Sequence, residues 1–355
     1  MILKSLVLQN FRSYSKSEFT FSPEANLIVG PNASGKTNLL EGIYFLATGK
    51  SFRVKGTEKE TISYGQKVGR VEGTVIDLNG IKKKMEIILT TGELEGEKVA
   101  KKKYLINGVS KRALDFVGNF LAVYFGPEDL EIVADSPATR RDYLDLVLEQ
   151  VDREYRRASL SYKKGLRQRN KLLEQIRDEG KPRSSLFFWD KLLVANGDII
   201  TRKRGEFIEF VNNQPSYFGQ LRLVYDKSVI SPQRLEQYAE EEVAAGMTLV
   251  GPHRDEVKFE MGEERRDLSA FGSRGEQRLA VFCLKLAELE FLAKKTGERP
   301  VLLLDDIFSE LDKERRDQLL RVIPKQQTII TATELDFVTE EEREKMEVIR
   351  IMVQD

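Results

Sequence analysis

The chain has 355 residues, enough for two or perhaps three domains and a large core. Lys+Arg and Asp+Glu each number 57, so the formal net charge is zero and no global field draws the protein to nucleic acid; such binding has to come from local clustering. A single cysteine, Cys283, excludes an intrachain disulfide and a cysteine-rich metal site, and its apolar helical surroundings predict a buried small hydrophobe. Residues 1–30 alternate apolar and polar in short runs and predict two strands. The charge within Met1-Ile-Leu-Lys-Ser-Leu-Val-Leu-Gln9 marks a strand rather than a leader peptide, and no apolar run approaches the length of a membrane span. The cytoplasm is the expected compartment.

Next comes the run Gly30-Pro31-Asn32-Ala33-Ser34-Gly35-Lys36-Thr37, which fits G-x-x-x-x-G-K-[ST]. An apolar stretch, Asn26–Val29, precedes it, and a helical stretch follows until Gly49. Glycines in such a loop let successive backbone N–H groups aim at phosphate oxygens, and the helix N-terminus adds partial positive charge. Lys36 is placed to reach the β- and γ-phosphates of ATP, and Thr37 to ligate Mg2+. From 68 to 110, Asn79-Gly80 and Asn107-Gly108 each interrupt extended runs, which predicts hairpins in an antiparallel subdomain.

Ser136-Pro137 opens a helix. Apolar residues recur at Leu144, Leu148, Val151, Tyr155, Ala158, Tyr162, Leu166, Leu173 and Ile176, which predicts one long helix broken at Gly180-Lys-Pro182. A second helix over about 184–211 would pair antiparallel with it, and Ser231-Pro232 opens a shorter acidic helix ending at Gly246. The end of the chain returns to α/β character, with a helix at about 274–294 and strands at Val301–Asp305 and Thr328–Ala332. These strands are expected to share a sheet with the phosphate loop. Head domains at 1–135 and 247–355 would then carry an inserted helical lobe at 136–246.

Two further elements carry chemistry. Val301-Leu-Leu-Leu-Asp305-Asp306 is an apolar strand ending in acid, the magnesium side of a phosphate-loop site; Asp305 would hold the ion, and Asp306 would act on the attacking water as a catalytic residue beside Lys36. Ser273-Arg274-Gly275-Glu276-Gln277 has the S-x-x-E spacing of a capping box, and a capped helix start bearing a serine and a glycine is also an anion site.

The order of these three elements resembles the ATP-binding-cassette (ABC-type) ATPases: phosphate loop, signature motif, magnesium strand. Ser309-Glu310-Leu311-Asp312 resembles their D-loop. Within that superfamily the chain resembles the SMC-like repair ATPases, and most closely the RecF family, through Leu8–Tyr14, Phe125–Leu130, Ser136–Asp142 and Thr248–Asp255. The resemblance implies an α/β ABC-type head, a phosphate-loop mixed sheet with an antiparallel β-subdomain, carrying an inserted helical lobe. It further implies a homodimer that sandwiches two ATP molecules, the phosphate loop of one copy facing Ser273–Gln277 of the other. Sequence-independent binding to gapped or single-strand/duplex junction DNA follows, with RecO and RecR as partners in loading recombinase.

The chain departs from the superfamily in three places. Asp306 replaces the usual glutamate, which predicts slow turnover. Thr331 or Thr333 stands where a histidine is usual, and Phe125-Gly-Pro-Glu128 stands at the glutamine loop without a glutamine. The only histidine, His253, is expected to be structural. For DNA, the candidates are Arg140 and Arg141 together with the basic stretch Arg156, Arg157, Lys163, Lys164, Arg167 and Arg169. An ABC subunit energising a membrane transporter is the competing class, disfavoured by the long helical insertion. A nucleotide switch whose hydrolysis is incidental is the other.

Overall fold

The computed structural model describes all residues except 55–56, 216–220, 263–264, 310–312, 335–342 and 353–355. The chain forms two compact units, Met1–Asp129 with Glu288–Asp355, and Leu130–Ala287. The second unit is wider than the 136–246 lobe read from sequence. Its extra C-terminal part contains the strand Glu256–Met261, which pairs antiparallel with Arg222–Asp226.

In the first unit, two sheets enclose one helix. The antiparallel sheet runs, in spatial order, Tyr14–Thr20, Ile2–Phe11, Val68–Ile76, Lys82–Thr90, Lys102–Ile106 and Val109–Lys111. The second sheet is parallel throughout: Ala122–Phe125, Val301–Asp305, Thr328–Ala332, Ala25–Val29 and Met346–Arg350. Residues 1–30 therefore hold three strands rather than two. Between the sheets lies the helix Lys36–Thr48, whose Leu39, Leu40, Ile43, Phe45 and Leu46 are fully buried. Its neighbours are Leu3, Leu6, Val71 and Ile87 of one sheet and Val301, Leu303 and Ile329 of the other. A helix apolar on every side belongs in such a place. Both Asn-Gly hairpins form. At Asn107-Gly108 both residues take positive φ, as a type I′ turn requires; at Asn79-Gly80 only Gly80 does, and the loop closes through Gly80 N–H to the Asp77 carbonyl.

The second unit is mainly helical, but the long helix expected from 137 to 179 is two. Pro137–Val151 ends at Asp152, whose extended backbone starts Arg153–Glu179 and whose carboxylate accepts from Tyr155 N–H. The apolar intervals of three and four run on from Val151 to Tyr155 across this break, so periodicity does not mark it. Gly180 closes the second piece in the left-handed conformation, and Phe187–Asn212 returns antiparallel to it. The acidic helix is also divided, into Pro232–Gln237 and Ala239–Ala245.

Buried arginines hold this unit together. Arg204 bonds Asp145 at 2.8 Å and Asp255 at 2.9 Å, and Arg169 bonds Asp190 and Glu242, each at 2.7 Å. His253 is structural: its Nε2–H donates to the Thr248 carbonyl, and its Nδ1 accepts from the Tyr162 hydroxyl. Burial, with Arg254 and Arg141 nearby, pushes its pKa down to about 4 despite the Thr248 bond. Cys283 is half-buried on the helix Arg274–Thr296 rather than fully enclosed. Among the described residues no helix is long and apolar enough to cross a membrane.

Candidate functional site

The parallel sheet delivers the phosphate loop and the acidic pair to the same edge. Ala25–Val29 and Val301–Asp305 both flank Thr328–Ala332 in parallel, so their C-terminal ends emerge together. Ligands of open parallel sheets bind at that edge. Gly30 follows its strand where a Cβ would strike the Ile351 carbonyl oxygen, so no larger residue fits. Gly35 takes φ 97°, a conformation that favours glycine, and turns the chain into the helix. The Tyr14 hydroxyl donates to the Gly35 carbonyl at 3.0 Å and steadies this turn.

Lys36 is almost fully buried, and its ammonium donates to the Gly30 and Pro31 carbonyls at 2.8 and 3.1 Å. Ser34 is 4% exposed, and its hydroxyl has no hydrogen-bond partner. A buried polar oxygen left unpaired is costly, and one inside a phosphate loop fits a phosphate oxygen as its missing partner. Pro31, Asn32 and Ala33 form the rim, with Ala33 at positive φ.

Asp305 lies at the centre of the acidic side. It accepts from Thr331 Oγ1 at 2.6 Å and from Thr37 Oγ1 at 3.2 Å, and the Tyr124 hydroxyl is 3.2 Å away. Among the described residues no cation lies within ion-pair distance of it. Burial raises its pKa, and the hydroxyl bonds only partly offset this. The Thr37 and Asp305 oxygens are hard donors of the kind that bind magnesium through one or two protein groups plus phosphate and water. Asp306 has φ 48°, and its N–H donates to Thr331 Oγ1 at 3.0 Å. Aspartate tolerates the left-handed region better than glutamate, which gives a backbone reason for the shorter acid.

Four residues to which the sequence pattern gives no role support this centre. Tyr124 OH is 2.6 Å from Glu128 Oε2, so its single proton serves Glu128 or Asp305 at any moment. Burial and these carboxylates push its pKa far up, so it remains a neutral donor. The Phe52 ring stacks on Tyr124 at 3.7 Å and 14°. Behind the loop, Arg12 makes a bidentate pair with the fully buried Glu41 at 2.8 and 2.6 Å, fixing the first strand to the phosphate-loop helix. In sequence, Tyr124 is hidden in an ordinary apolar strand, and Glu41 and Arg12 are 29 positions apart.

The signature segment belongs to the other unit. Ser273 and Glu276 form the expected capping box: Ser273 N–H donates to Glu276 Oε2 at 2.8 Å, and Glu276 N–H donates to Ser273 Oγ at 3.3 Å. The backbone and hydroxyl of Ser273 lower the Glu276 pKa. Ser273, Arg274, Gly275 and Glu276 are exposed. A Cβ at Gly275 would find nothing closer than Ser273 Oγ at 4.0 Å, so the fold of this chain does not itself demand glycine there. Gln277 differs: it is buried, and its Nε2–H donates to the Leu268 carbonyl at 2.8 Å. Of the D-loop, Glu310, Leu311 and Asp312 lie outside the described residues, and Ser309 ends a short 3-10 turn.

The basic candidates separate by burial. Arg140 is 7% exposed and bonds Glu256 at 2.8 Å as well as the Asp135 carbonyl. Arg169 is 2% exposed and fully paired. Neither can present its guanidinium to a phosphate backbone. Arg141 donates to the Asp255 carbonyl, Arg156 to the Glu149 carbonyl, and Lys163 to Asp145. Arg157, Lys164 and Arg167 remain exposed.

The model of the RecF/RecN/SMC N terminal domain matches residues 2–354. The DNA replication and repair protein RecF of Herpetosiphon aurantiacus is 39% identical, with 95% of this chain and 94% of that protein covered. RecF of Lachnoclostridium phytofermentans is 35% identical over the same shares. Among solved structures, the recombination mediator protein RecF-ATP in the RecFOR pathway aligns with a TM-score of 0.86 at 34% identity, covering 95% of this chain and 93% of that one. The Smc head domain from Pyrococcus furiosus, at TM-score 0.52 and 18% identity, covers 99% of this chain and 94% of that one and shares the fold alone. The chain belongs to the RecF family, with the ABC-type ATPase head fold common to RecF and SMC heads.

Proposed function

We propose that this protein is an ATP-dependent DNA-binding protein of recombinational repair in the cytoplasm, closing as a head-to-head dimer around two ATP molecules and reopening on slow hydrolysis. The observation that carries the nucleotide reading is the meeting, at one sheet edge, of Lys36, Thr37, the Ser34 hydroxyl and Asp305, the last two without a hydrogen-bond partner and without a cation, respectively, among the described residues. The backbone of Gly30–Thr37 cradles phosphate, and Lys36 supplies charge to it. Thr37 and Asp305 would hold magnesium, which when bound neutralises the phosphate charge as it redistributes. Thr331 and Tyr124 orient the Asp305 carboxylate, and Asp306 orients the attacking water. Asp306 replaces a longer acid, so turnover is expected to be slow.

The dimer reading is supported by the exposed Ser273-Arg-Gly275-Glu276 turn, where glycine has no intramolecular reason. A triphosphate on a second copy gives it one, since an anion can approach a capped helix start closely only where no side chain intervenes. Gapped or junction DNA is the proposed substrate, and RecR and RecO are the proposed partners, as members of the RecFOR pathway in which the similar RecF-ATP structure is placed.

The mechanism separates two losses. Lys36→Ala weakens ATP binding by the isolated chain. Ser273→Arg leaves that binding intact but abolishes turnover. Equal ATP turnover by Ser273→Arg and the unaltered protein overturns the proposal.

A further inference from the structure

The helix Arg153–Glu179 carries a basic stripe that the internal ion network does not use. Arg157, Lys164, Arg167 and Lys171 are exposed, and none has an ion-pair partner among the described residues. Arg157, Lys164 and Lys171 recur every seven residues and therefore share a face, with Arg167 one turn beside it. No acidic residue lies between Glu154 and Glu174. The stripe runs for about 21 Å along the helix. The exposed Leu160, at 63%, sits within it.

The antiparallel neighbour supplies aromatic rings. Phe187 and Phe188 open the helix Phe187–Asn212 and are 64% and 63% exposed. Phe188 packs edge-on to Trp189 at 4.9 Å. A Cβ at Gly165 would lie 3.7 Å from the Trp189 ring, so the aromatic pair lies on the neighbouring helix at the level of Lys164 and Gly165. Both phenyl rings are exposed on the helix that pairs with the stripe-bearing one, Phe187 with the Lys191 ammonium 4.3 Å from its centroid, so neither is spent in the core of this unit. Bases stack on such rings whatever their sequence, while Lys and Arg neutralise the backbone.

We infer that this helical hairpin is a single-stranded DNA platform, in which Arg157, Lys164, Arg167 and Lys171 hold phosphates and Phe187 and Phe188 stack unpaired bases. The inference rests on the proposed DNA-binding function and assigns it a surface. Duplex satisfies only the charged half, because its base faces are already stacked. An acidic protein groove would satisfy the charges but has no comparable call on flat ring faces.

The test is fluorescence anisotropy of the full chain, with a non-hydrolysable ATP analogue, on three labelled probes: oligo-dT, a blunt duplex of equal length, and a gapped duplex. The variants are Phe187→Ala with Phe188→Ala, and the fourfold Arg157→Ala, Lys164→Ala, Arg167→Ala, Lys171→Ala. All six positions are exposed, and unaltered circular dichroism and nucleotide binding confirm folding. The double variant is expected to weaken oligo-dT binding about tenfold or more, with duplex binding changed less than about twofold. The fourfold variant is expected to weaken all probes and to make the salt dependence on oligo-dT shallower by about 3 log units per log unit of salt. Equal loss on oligo-dT and duplex in the double variant overturns the stacking assignment. Unaltered DNA binding by both variants overturns the surface, even if an acidic protein partner is lost. In that outcome the DNA-binding function itself still stands; failure of the unaltered protein on every probe is what removes it.

Discussion

Buried aspartates meet opposite fates in the two units. In the helical unit, Asp145 and Asp255 are buried against Arg204, and Lys163 adds a second cation to Asp145. Burial alone would raise the Asp145 pKa, but Arg204 and Lys163 outweigh it and hold the carboxyl well below its usual range. In the nucleotide unit, Asp305 is also buried, and among the described residues hydroxyls rather than cations face it; burial, with Asp306 beside it, raises its pKa. Charge that is balanced inside the chain builds structure. Charge left unbalanced at a strand end is available to a cation from outside.

That contrast can be broken most severely at Arg204. Arg204→Ala leaves Asp145 and Asp255 buried without their shared partner and should cost about 4 kcal/mol, read from urea unfolding. A loss under about 1 kcal/mol would mean that the network is ornamental. The next effect is acid sensitivity of the same unit. His253 has a folded pKa of about 4, below its ordinary 6.5, so the unfolded chain takes up the proton first. Its contribution is full above pH 6.5 and is lost as pH falls toward 4, a slope worth about 3 kcal/mol in all. In His253→Gln, which cannot titrate, that part of the pH slope should vanish. The smallest effect has the opposite sign. Because the folded pKa of Asp305 is raised, ionisation at neutral pH opposes folding; Asp305→Asn should raise the Tm of the nucleotide-free protein by a few degrees while removing magnesium-dependent turnover. A fall in Tm would show that Asp305 is already balanced by the chain.

The nucleotide side was legible in sequence because backbone geometry dictates it. Gly30 sits where no larger residue fits and Gly35 in a conformation that favours glycine, and the fully apolar Leu302–Leu304 reads as a central strand delivering Asp305 to the same edge. The helical unit was legible in periodicity but not in charge. Arg167 and Arg169 are two residues apart on one helix and look alike in sequence; one is exposed and the other is the hub for Asp190, Glu242 and Thr248. Those partners lie 21 to 79 positions away, so no local pattern distinguishes the two arginines. The break at Asp152 escaped for a related reason: aspartate is an ordinary helix surface residue until its carboxylate turns back to cap Tyr155. Tyr124 escaped because its ring obeys the strand pattern while its hydroxyl alone reaches the site.

The most direct test of the account is sedimentation velocity with magnesium and a non-hydrolysable ATP analogue, comparing the unaltered protein with Ser273→Arg. Nucleotide is expected to convert the unaltered protein from monomer to dimer, whereas Ser273→Arg is expected to bind the same analogue and stay monomeric. A Ser273→Arg protein that dimerises with nucleotide as the unaltered chain does would contradict it.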